Sequence, residues 1–345
     1  MSVVHVVLPG DIDDPATPSG GNAYDRQVCR GLAGRGWTVR EHPVPGAWPH
    51  PGAPERAALA AVLAGLPDGA PVLLDGLVAS TVPELLTPHA RRLRLVPLVH
   101  LPREDHAEAR ALAVAAGVVA TSEWTRRRLH DRYALPADRV TVAAPGVTPA
   151  PLTSGSPAGT RLLCVAAVTP LKGHDVLAAA LAGIADLDWS CACVGALSRD
   201  PDFVAGLRGR LAADGLTDRV HLSGPRVGAE LDVAYAAADL LIVPSRRETY
   251  GMVVTEALAR GLPVLCSDTG GLPDTLGYAP DGTRPGLLVP ADDPAALAGA
   301  LRRWLTRPEL RAGLRHAARQ RRDTLTDWTV TVDRLAAALK EATAS

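Results

Sequence analysis

The feature that most constrains the fold of this chain is the regular alternation of short apolar runs with longer stretches rich in Ala, Leu and Arg. The apolar runs of the first half have the length of buried strands and are Val3–Leu8, Val72–Leu74, Leu95–Val99, Gly117–Ala120 and Val140–Ala143. A second series comprises Leu162–Val168, Trp189–Val194, Val220–Leu222, Leu240–Val243, Val264–Cys266 and Leu287–Val289. Strands that alternate with helices form parallel sheets covered by those helices. The sequence therefore predicts an α/β fold of two Rossmann-like halves that face each other, with a ligand cleft between them.

The length of the chain also favours two domains. Its 345 residues exceed the size at which a single hydrophobic core keeps growing. A stretch rich in Pro, Gly, Ser and Thr separates the two series of strands and has the composition of a linker. We expect a first domain over 1–152, a linker over 153–160, a second domain over 161–325, and a final helical segment over 326–345 that crosses back to the first domain.

Charge and composition restrict the partners. The formal net charge is −1 and the hydrophobic content is 47%, which argues against a nucleic-acid-binding surface and against a wholly basic membrane-binding surface. No run approaches the ~20 apolar residues that span a bilayer, so a cytoplasmic protein that binds a small molecule is expected; peripheral membrane contact stays open. The five cysteines lack the paired spacing of zinc ligands and are expected to be buried thiols.

The strongest candidate site lies in the sequence DLLIVPSRRETYGMVVTEALARGLPV, which runs from Asp239 to Val264. An apolar strand is followed by a polar loop, and a helix is predicted to begin near Gly251. Ligands of parallel sheets bind where strands end, because helix N-termini there offer unpaired N–H groups and a positive dipole. A diphosphate would therefore lie over Gly251, Met252 and Val253.

Two glutamates flank this phosphate position. Glu248 lies in the loop and Glu256 in the helix, about 12 Å apart at the helical rise per residue. Each carboxylate could accept hydrogen bonds from a diol, one from the sugar and the other from the ribose of a nucleotide sugar. Two acids at arbitrary spacing are more often a solvated loop acid and a helix-surface acid.

A second candidate element is the loop Thr169–Lys172, which follows a predicted strand. Only two lysines, Lys172 and Lys340, are present among 36 basic residues, so a lysine immediately before a glycine in this loop is unlikely to reflect composition alone. A compact ammonium can donate to several phosphate oxygens at once. Lys172 is therefore the predicted phosphate-binding cation, with Thr169 beside it.

The pattern Ser-x-x-Glu-x-Tyr-Gly-x-x-x-x-Glu-Ala-x-Ala-x-Gly-x-Pro-Val, which begins at Ser245, is similar to the signature of the retaining glycosyltransferases of family 4, the glycosyl transferases group 1, which have the GT-B fold. The resemblance implies that Glu248 contacts the donor sugar and Glu256 the ribose, and that Tyr250 lies in the same site. It further implies that the first domain binds the acceptor and the second the nucleotide sugar, with no metal and no enzyme nucleophile. No cofactor is expected beyond the nucleotide sugar, which is a co-substrate.

The chain departs from this family at one position. The family typically has an arginine five residues before the lysine, where this chain has Ala167. Either Lys172 and the helix dipole suffice for the diphosphate, or another arginine substitutes, with Arg246 and Arg247 the nearest candidates.

Three further segments complete the predicted site. Gly20 and Gly21 precede a predicted helix and resemble a Gly-Gly loop of the family that faces the diphosphate and acceptor. His100 ends a strand and resembles the family's histidine near the donor sugar; an ordinary strand-end histidine is the alternative. Arg226 and Val227 follow another strand of the second domain and would border the base.

The function predicted from the sequence is retaining transfer of a hexosyl unit from a UDP- or GDP-linked sugar to a small-molecule or glycan acceptor. A nucleotide-sugar epimerase or hydrolase, a pseudo-glycosyltransferase and a non-catalytic nucleotide-sugar sensor are the alternatives, although Lys172 counts against a sensor. An NAD-dependent enzyme is less favoured because no Gly-x-Gly-x-x-Gly follows the first strand. The Asp-x-Asp within Asp11–Asp14 resembles metal-binding motifs of another glycosyltransferase fold, but a lone acidic loop is usually solvated, and no metal is expected.

Overall fold

The computed structural model describes residues 2–344, which fall into two compact units. Unit 1 takes in the chain up to residue 13, residues 20–146, and the chain from residue 327 onward. Unit 2 consists of residues 14–19 and 147–326. The strands are β1 Val3–Pro9, β2 Thr38–Val44, β3 Pro71–Asp75, β4 Arg94–Val99, β5 Val118–Ala120, β6 Val140–Val142, β7 Arg161–Val165, β8 Ser190–Val194, β9 Val220–Leu222, β10 Leu240–Val243, β11 Val264–Asp268 and β12 Gly286–Pro290.

Helices follow most of these strands. They are α1 Gly20–Gly34, α2 Ala53–Gly65, α3 Gly76–Ala79, α4 Pro83–Leu86, α5 His106–Ala113, α6 Glu123–Tyr133, α7 His174–Ala182, α8 Pro201–Ala213, α9 Ala229–Ala237, α10 Met252–Ala259, α11 Leu272–Leu276, α12 Pro294–Thr306, α13 Pro308–Arg322 and α14 Trp328–Ala344. Short 3₁₀ turns occupy Thr87–His89, Ala137–Arg139 and Pro170–Lys172.

Unit 1 is built on a six-stranded parallel sheet in the order β2-β1-β3-β4-β5-β6. The apolar side chains of its central strands are buried, as parallel strands covered on both faces require. The edge strand β2 was not predicted. Its sequence, Thr-Val-Arg-Glu-His-Pro-Val, is mostly polar because an edge strand does not need a continuous apolar run.

The last helix, α14, packs within unit 1 against α1. A Cβ on Gly31 would lie 2.2 Å from Val332 Cγ2, so the absence of a side chain at Gly31 allows the two helices to approach. The Tyr24 and Trp328 rings meet edge to face with centroids 5.6 Å apart, and the Thr331 hydroxyl donates to the Ala144 carbonyl at 2.7 Å. The C-terminal segment is therefore an integral layer of unit 1.

Unit 2 is built on a second six-stranded parallel sheet in the order β12-β11-β10-β7-β8-β9. One apolar cluster packs residues of α7, α8 and α12 against the sheet, and another packs residues of α9, α10 and α11. The predicted linker 153–160 is fastened to this unit, because the Ser156 hydroxyl donates to the buried carboxylate of Asp239 at 2.7 Å.

Several sequence predictions can be compared with these elements. The predicted strands of both series correspond to β1, β3–β6 and β7–β12, with ends that differ by up to three residues. The five cysteines are buried free thiols, as predicted. Across residues 2–344, the structure contains no helix of the length and apolarity needed to traverse a bilayer.

Candidate functional site

The loop that carries Lys172 is fixed against the end of β10. Gly173 has a φ of 70°, and a Cβ at this position would lie 2.1 Å from the Pro244 carbonyl oxygen, so only glycine allows the close approach. The backbone N–H of Arg246 also donates to the Leu171 carbonyl at 2.9 Å. The two predicted loops of unit 2 therefore meet at the carboxyl ends of the neighbouring strands β7 and β10.

This contact brings Lys172 and Glu248 together. Lys172 Nζ lies 2.5 Å from Glu248 Oε2, and their side chains are 28% and 16% exposed. The pair is thus partly shielded from water but still accessible to a ligand. Because an ammonium has three donors, Lys172 can hold Glu248 and still donate to phosphate oxygens.

The loop of Glu248 is shaped by two glycines that the sequence analysis did not single out. A Cβ on Gly270 would lie 1.7 Å from the Glu248 carbonyl oxygen, and Gly270 has a φ of 59°. The N–H of Gly271 donates to that same carbonyl at 2.9 Å. The turn after β11 therefore fixes the position of the Glu248 backbone.

Helix α10 begins directly after this loop. Gly251 caps it with a φ of 82°, and the helix starts at Met252, within one residue of the prediction. The first N–H groups of a helix have no partner within the helix and carry the positive end of its dipole. Met252 and Val253 are half-buried at this terminus, in a position suited to an anion.

Glu256 lies one turn into α10, and a buried tyrosine holds it. Tyr235 Oη donates to Glu256 Oε2 at 2.7 Å, and the Arg260 guanidinium carbon lies 4.6 Å from the centroid of the Tyr235 ring. Burial raises the pKa of Glu256, while the hydrogen bond from Tyr235 and the charge of Arg260 act in the opposite direction. A donor is thus already committed to one oxygen of Glu256.

Arg246, a predicted substitute for the missing clamp arginine, is engaged elsewhere. Its guanidinium binds Asp175 through two hydrogen bonds of 2.8 Å and Asp292 at 2.8 Å. Hydrogen bonding to Asp175 is the main reason that its pKa is raised. Arg246 therefore joins α7 to the loop that carries Glu248, and its role as a phosphate clamp is not supported. Arg247 is half-buried in the same loop.

The remaining predicted residues of unit 2 occupy different places. Thr169 caps the 3₁₀ turn that ends at Lys172. Tyr250 is half-buried, and burial raises the pKa of its phenol to about 12. Arg226 and Val227 lie on the loop after β9, at the edge of the sheet and two strands from β7. Thr169 and Tyr250 thus share loops with Lys172 and Glu248, whereas Arg226 and Val227 are displaced along the sheet.

In unit 1, the predicted residues Gly21 and His100 lie against each other. Gly20 is the first residue of α1, so both glycines lie in the first turn of the helix, whereas the sequence had suggested that they precede it. A Cβ on Gly21 would lie 3.4 Å from His100 Cδ2. The helix N-terminus and the end of β4 therefore meet at the carboxyl edge of the sheet.

Two buried aspartates bind His100, and neither was predicted. His100 Nε2 lies 2.9 Å from Asp25 Oδ1 and 3.6 Å from Asp75 Oδ2. Burial lowers the pKa of His100, but the charge and hydrogen bond of Asp25 and the charge of Asp75 outweigh it, so the pKa is raised. Asp75 ends the apolar strand β3, and an acid at that place is a signal that could have found it.

These three side chains also bear on metal binding. Their ligand-type atoms all lie within 4.8 Å of one another, so Asp25, Asp75 and His100 form a group that could hold a metal ion. From the sequence, only the acidic loop Asp11–Asp14 and the cysteines were candidates to bind a metal. Asp13 of that loop pairs with Arg26 at 2.6 Å.

Comparison with known proteins shows which family the chain resembles. A model described as "Glycosyl transferases group 1" matches residues 157–321. The D-inositol 3-phosphate glycosyltransferase of Thermobispora bispora is 36% identical over 258 residues, which cover 68% of this chain and 58% of that protein. The chain is therefore similar to the group 1 glycosyl transferases. D-inositol 3-phosphate glycosyltransferase 1 of Catenulispora acidiphila is 32% identical over 280 residues, covering 72% of this chain and 65% of that protein. The match thus spans less than two thirds of the length of these relatives.

Solved structures agree on the fold of this chain. Sucrose-phosphate synthase from Thermosynechococcus elongatus has a TM-score of 0.79 at 22% identity, over 99% of this chain and 98% of that one. Anabaena HepE in complex with UDP-glucose has a TM-score of 0.77 at 18% identity, over 99% of this chain and 100% of that one. The predicted fold class, α/β with the GT-B fold, is confirmed.

Proposed function

We propose that this protein transfers a sugar from a nucleotide sugar to an acceptor with retention of anomeric configuration. The observation that carries the proposal is the Lys172–Glu248 pair, with an N···O distance of 2.5 Å, next to the N-terminus of α10 in a chain similar to the group 1 glycosyl transferases. A cation and a helix N-terminus together suit a diphosphate, and an adjacent carboxylate suits sugar hydroxyls.

The proposed roles follow from this placement. Lys172 and the first N–H groups of α10 would stabilise the negative charge that develops on the departing diphosphate. Glu248 would accept hydrogen bonds from the donor sugar, and Glu256, held by Tyr235, from the ribose. The acceptor would attack on the face from which the diphosphate leaves, so that no nucleophilic side chain and no metal ion is required.

Unit 1 would bind the acceptor through Gly20, Gly21 and His100, which lie at the carboxyl edge of its sheet. The names of the relatives make inositol 3-phosphate the first acceptor to test, and the HepE complex makes UDP-glucose the first donor. We place the reaction in the cytoplasm, because five buried free thiols suit a reducing compartment.

A donor screen by thermal denaturation is the first test. The full chain would be heated with UDP-, GDP- and ADP-linked sugars and with the corresponding free nucleotides. A nucleotide sugar at 100 times its Kd stabilises the folded state by about 2.7 kcal/mol. A donor should therefore raise Tm measurably, and the absence of any shift with every nucleotide sugar would contradict the proposal.

Product analysis then tests the reaction itself. The donor found by the screen would be incubated with inositol 3-phosphate and with a panel of other polyols and sugars, with and without a chelator. Retention predicts that proton NMR shows the donor's anomeric configuration in the product, and metal independence predicts an unchanged rate with the chelator. An inverted product would refute the retaining mechanism. Release of free sugar or an epimerised nucleotide sugar, without transfer to any acceptor, would favour the hydrolase or epimerase alternative.

A further inference from the structure

The buried carboxylates beside His100 carry more negative charge than their neighbours compensate. Asp25 and Asp75 are each only 2% exposed, so water solvates neither carboxylate. Both form their ion pair with His100, whose Nε2 lies 2.9 Å from Asp25 Oδ1 and 3.6 Å from Asp75 Oδ2. Even a cationic imidazole would neutralise only one of the two carboxylates. Because buried charges are normally paired or bound to a metal ion, a further positive charge is expected at this place.

Asp25 also has an oxygen without a partner. Its Oδ1 contacts His100 Nε2, whereas its Oδ2 is buried and has no hydrogen-bond partner among the described residues. Asp75 differs, since its Oδ1 accepts the backbone N–H of Leu77 at 2.6 Å. A buried oxygen with neither a donor nor a cation is unfavourable. A cation bound by the Asp25 carboxylate would satisfy this oxygen, which the contact with His100 alone does not.

The distances between the three side chains suit the ligands of one metal ion. Zinc binds imidazole nitrogen and carboxylate oxygen at about 2.0–2.2 Å. Two such ligand atoms are about 3.0 Å apart at a right angle and about 3.4 Å apart at a tetrahedral angle. The observed separations from His100 Nε2 are 2.9 and 3.6 Å, and the three ligand-type atoms all lie within 4.8 Å of one another. One ion could therefore contact all three side chains without a large rearrangement.

We propose that Asp25, Asp75 and His100 bind one divalent transition-metal ion, such as Zn²⁺ or Mn²⁺, which joins α1 to the ends of β3 and β4. One imidazole with two carboxylates suits these ions better than Mg²⁺ or Ca²⁺, which prefer oxygen ligands. The Leu77 N–H orients the Asp75 carboxylate, and the Tyr24 ring lies edge to face against His100 with centroids 5.2 Å apart. Contacts of this kind orient the ligands of metal sites. The His100 side chain is 18% exposed and gives an ion access from the carboxyl edge of the sheet.

The ion has a structural role in unit 1. The proposed stabilisation of the leaving diphosphate uses Lys172 and the N-terminus of α10, so the metal site does not rest on the proposed function. Metal content and thermal stability are properties of the free protein and can be measured without a substrate. Failure to find the ion would leave the transferase proposal standing, and failure of every nucleotide sugar to bind would leave the metal site standing.

Metal binding can be measured on the full chain after dialysis against a chelator. Zn²⁺ or Mn²⁺ would be added back, the bound metal counted by mass spectrometry after gel filtration, and Tm recorded on the same samples. The wild type should retain one ion per chain and melt at a higher temperature with the ion than without it. Asp25→Asn and Asp75→Asn should each weaken binding by about 100-fold or more and lose the rise in Tm, because a neutral amide replaces an anionic ligand.

Two control variants address other places where a metal could bind. Asp13→Asn changes the exposed acidic loop that precedes α1. His42→Gln changes a histidine pair in which His5 Nδ1 and His42 Nε2 lie 2.9 Å apart. Both variants should bind the ion as the wild type does. Loss of the ion in His42→Gln with retention in Asp75→Asn would overturn the assignment, and so would a wild type that retains no metal.

A measurement on the wild type covers the case in which the aspartate variants fail to fold. Mn²⁺ is paramagnetic and broadens the NMR signals of the nuclei nearest to it. Among the ring signals of the ten histidines, those of His100, assigned with His100→Gln, should disappear first when Mn²⁺ is added below one equivalent. An excess of Zn²⁺ should restore them by displacing Mn²⁺ from the same ligands. Earlier loss of the signals of another histidine would refute the site.

Discussion

Removing the ammonium of Lys172 should reveal how much this cation and its partner Glu248 each contribute to the charge of the proposed diphosphate site. In Lys172→Met, the apolar stem is retained but Glu248 is left without the partner that lies 2.5 Å away in the wild type. Because Ala167 stands where the family typically has a second cation and two aspartates engage Arg246, neither of these positions supplies a compensating charge. A bound diphosphate would then face an unpaired carboxylate.

The size of the effect follows from the geometry. Two unit charges 4 Å apart interact by about 4 kcal/mol at an effective dielectric constant of about 20. Side-chain exposures of 28% and 16% admit water and reduce this value. We therefore expect a loss of about 1–2 kcal/mol in binding of a free nucleoside diphosphate, a factor of roughly 5–30 in Kd. Turnover should fall further, by about 10²- to 10³-fold, because leaving-group charge is greatest in the transition state.

Isothermal calorimetry with free nucleoside diphosphate is the appropriate assay, since this ligand lacks the sugar that Glu248 is proposed to contact. The double variant Lys172→Met/Glu248→Gln removes both charges and should recover part of the lost affinity. Lys340→Met changes the other lysine of the chain, which is exposed on α14, and should bind as the wild type does. If the double variant binds no better than Lys172→Met, the repulsion by Glu248 is not real and the charge argument fails.

Three further perturbations test other parts of the structure. Tyr235→Phe removes the hydrogen bond to Glu256, worth about 1.5 kcal/mol for a charged acceptor, and should weaken nucleotide binding roughly tenfold by calorimetry. Gly270→Ala forces a Cβ to within 1.7 Å of the Glu248 carbonyl oxygen at a positive φ and should cost about 3 kcal/mol in urea denaturation, with loss of donor affinity. In the metal-free protein, Asp75→Asn should flatten the pH dependence of the free energy of unfolding. A carboxyl group whose pKa is raised on folding contributes stability at low pH, and this stability is lost as the pH rises through the pKa of the folded state.

Each of these has an internal control. Tyr278→Phe changes an exposed tyrosine and should leave nucleotide affinity intact, and a 2′,3′-dideoxynucleotide should not distinguish Tyr235→Phe from the wild type. Gly282→Ala has a similar φ of 83° but nothing within 4 Å of the added Cβ, so it separates backbone strain from the clash. Equal losses in Gly282→Ala and Gly270→Ala would remove the steric argument. A stability curve for Asp75→Asn that falls as steeply with pH as that of the wild type would contradict the raised pKa.

The sequence was sufficient to predict the elements and part of the site, because the evidence for both is local. Apolar runs of strand length set β1 and β3–β12, since a parallel strand buried on both faces needs a continuous apolar sequence. The same reasoning missed β2, an edge strand with polar side chains. Lys172 could be singled out because lysine is scarce in this chain, and Glu248 because it belongs to a long motif. Both residues follow predicted strand ends.

The groups that orient these side chains could not be found in this way. Tyr235 is 21 residues from Glu256 in sequence, and Gly270 matters only because the turn after β11 folds onto the Glu248 carbonyl. From the sequence, Arg246 was a candidate to bind the diphosphate, whereas in the fold two carboxylates from other segments bind it. Such pairings depend on which loops meet at the edge of a sheet, and no local pattern records that.

The clearest division concerns the histidine of unit 1. The sequence by itself predicted that His100 lies at the end of a buried strand of a parallel sheet, and β4 ends at the residue before it. Only the tertiary structure decided that its pKa is raised, because Asp25 and Asp75 approach it from 75 and 25 residues away in the chain. The physical reason is that the pKa of a buried group depends on burial and on neighbouring charges, and both are set by packing.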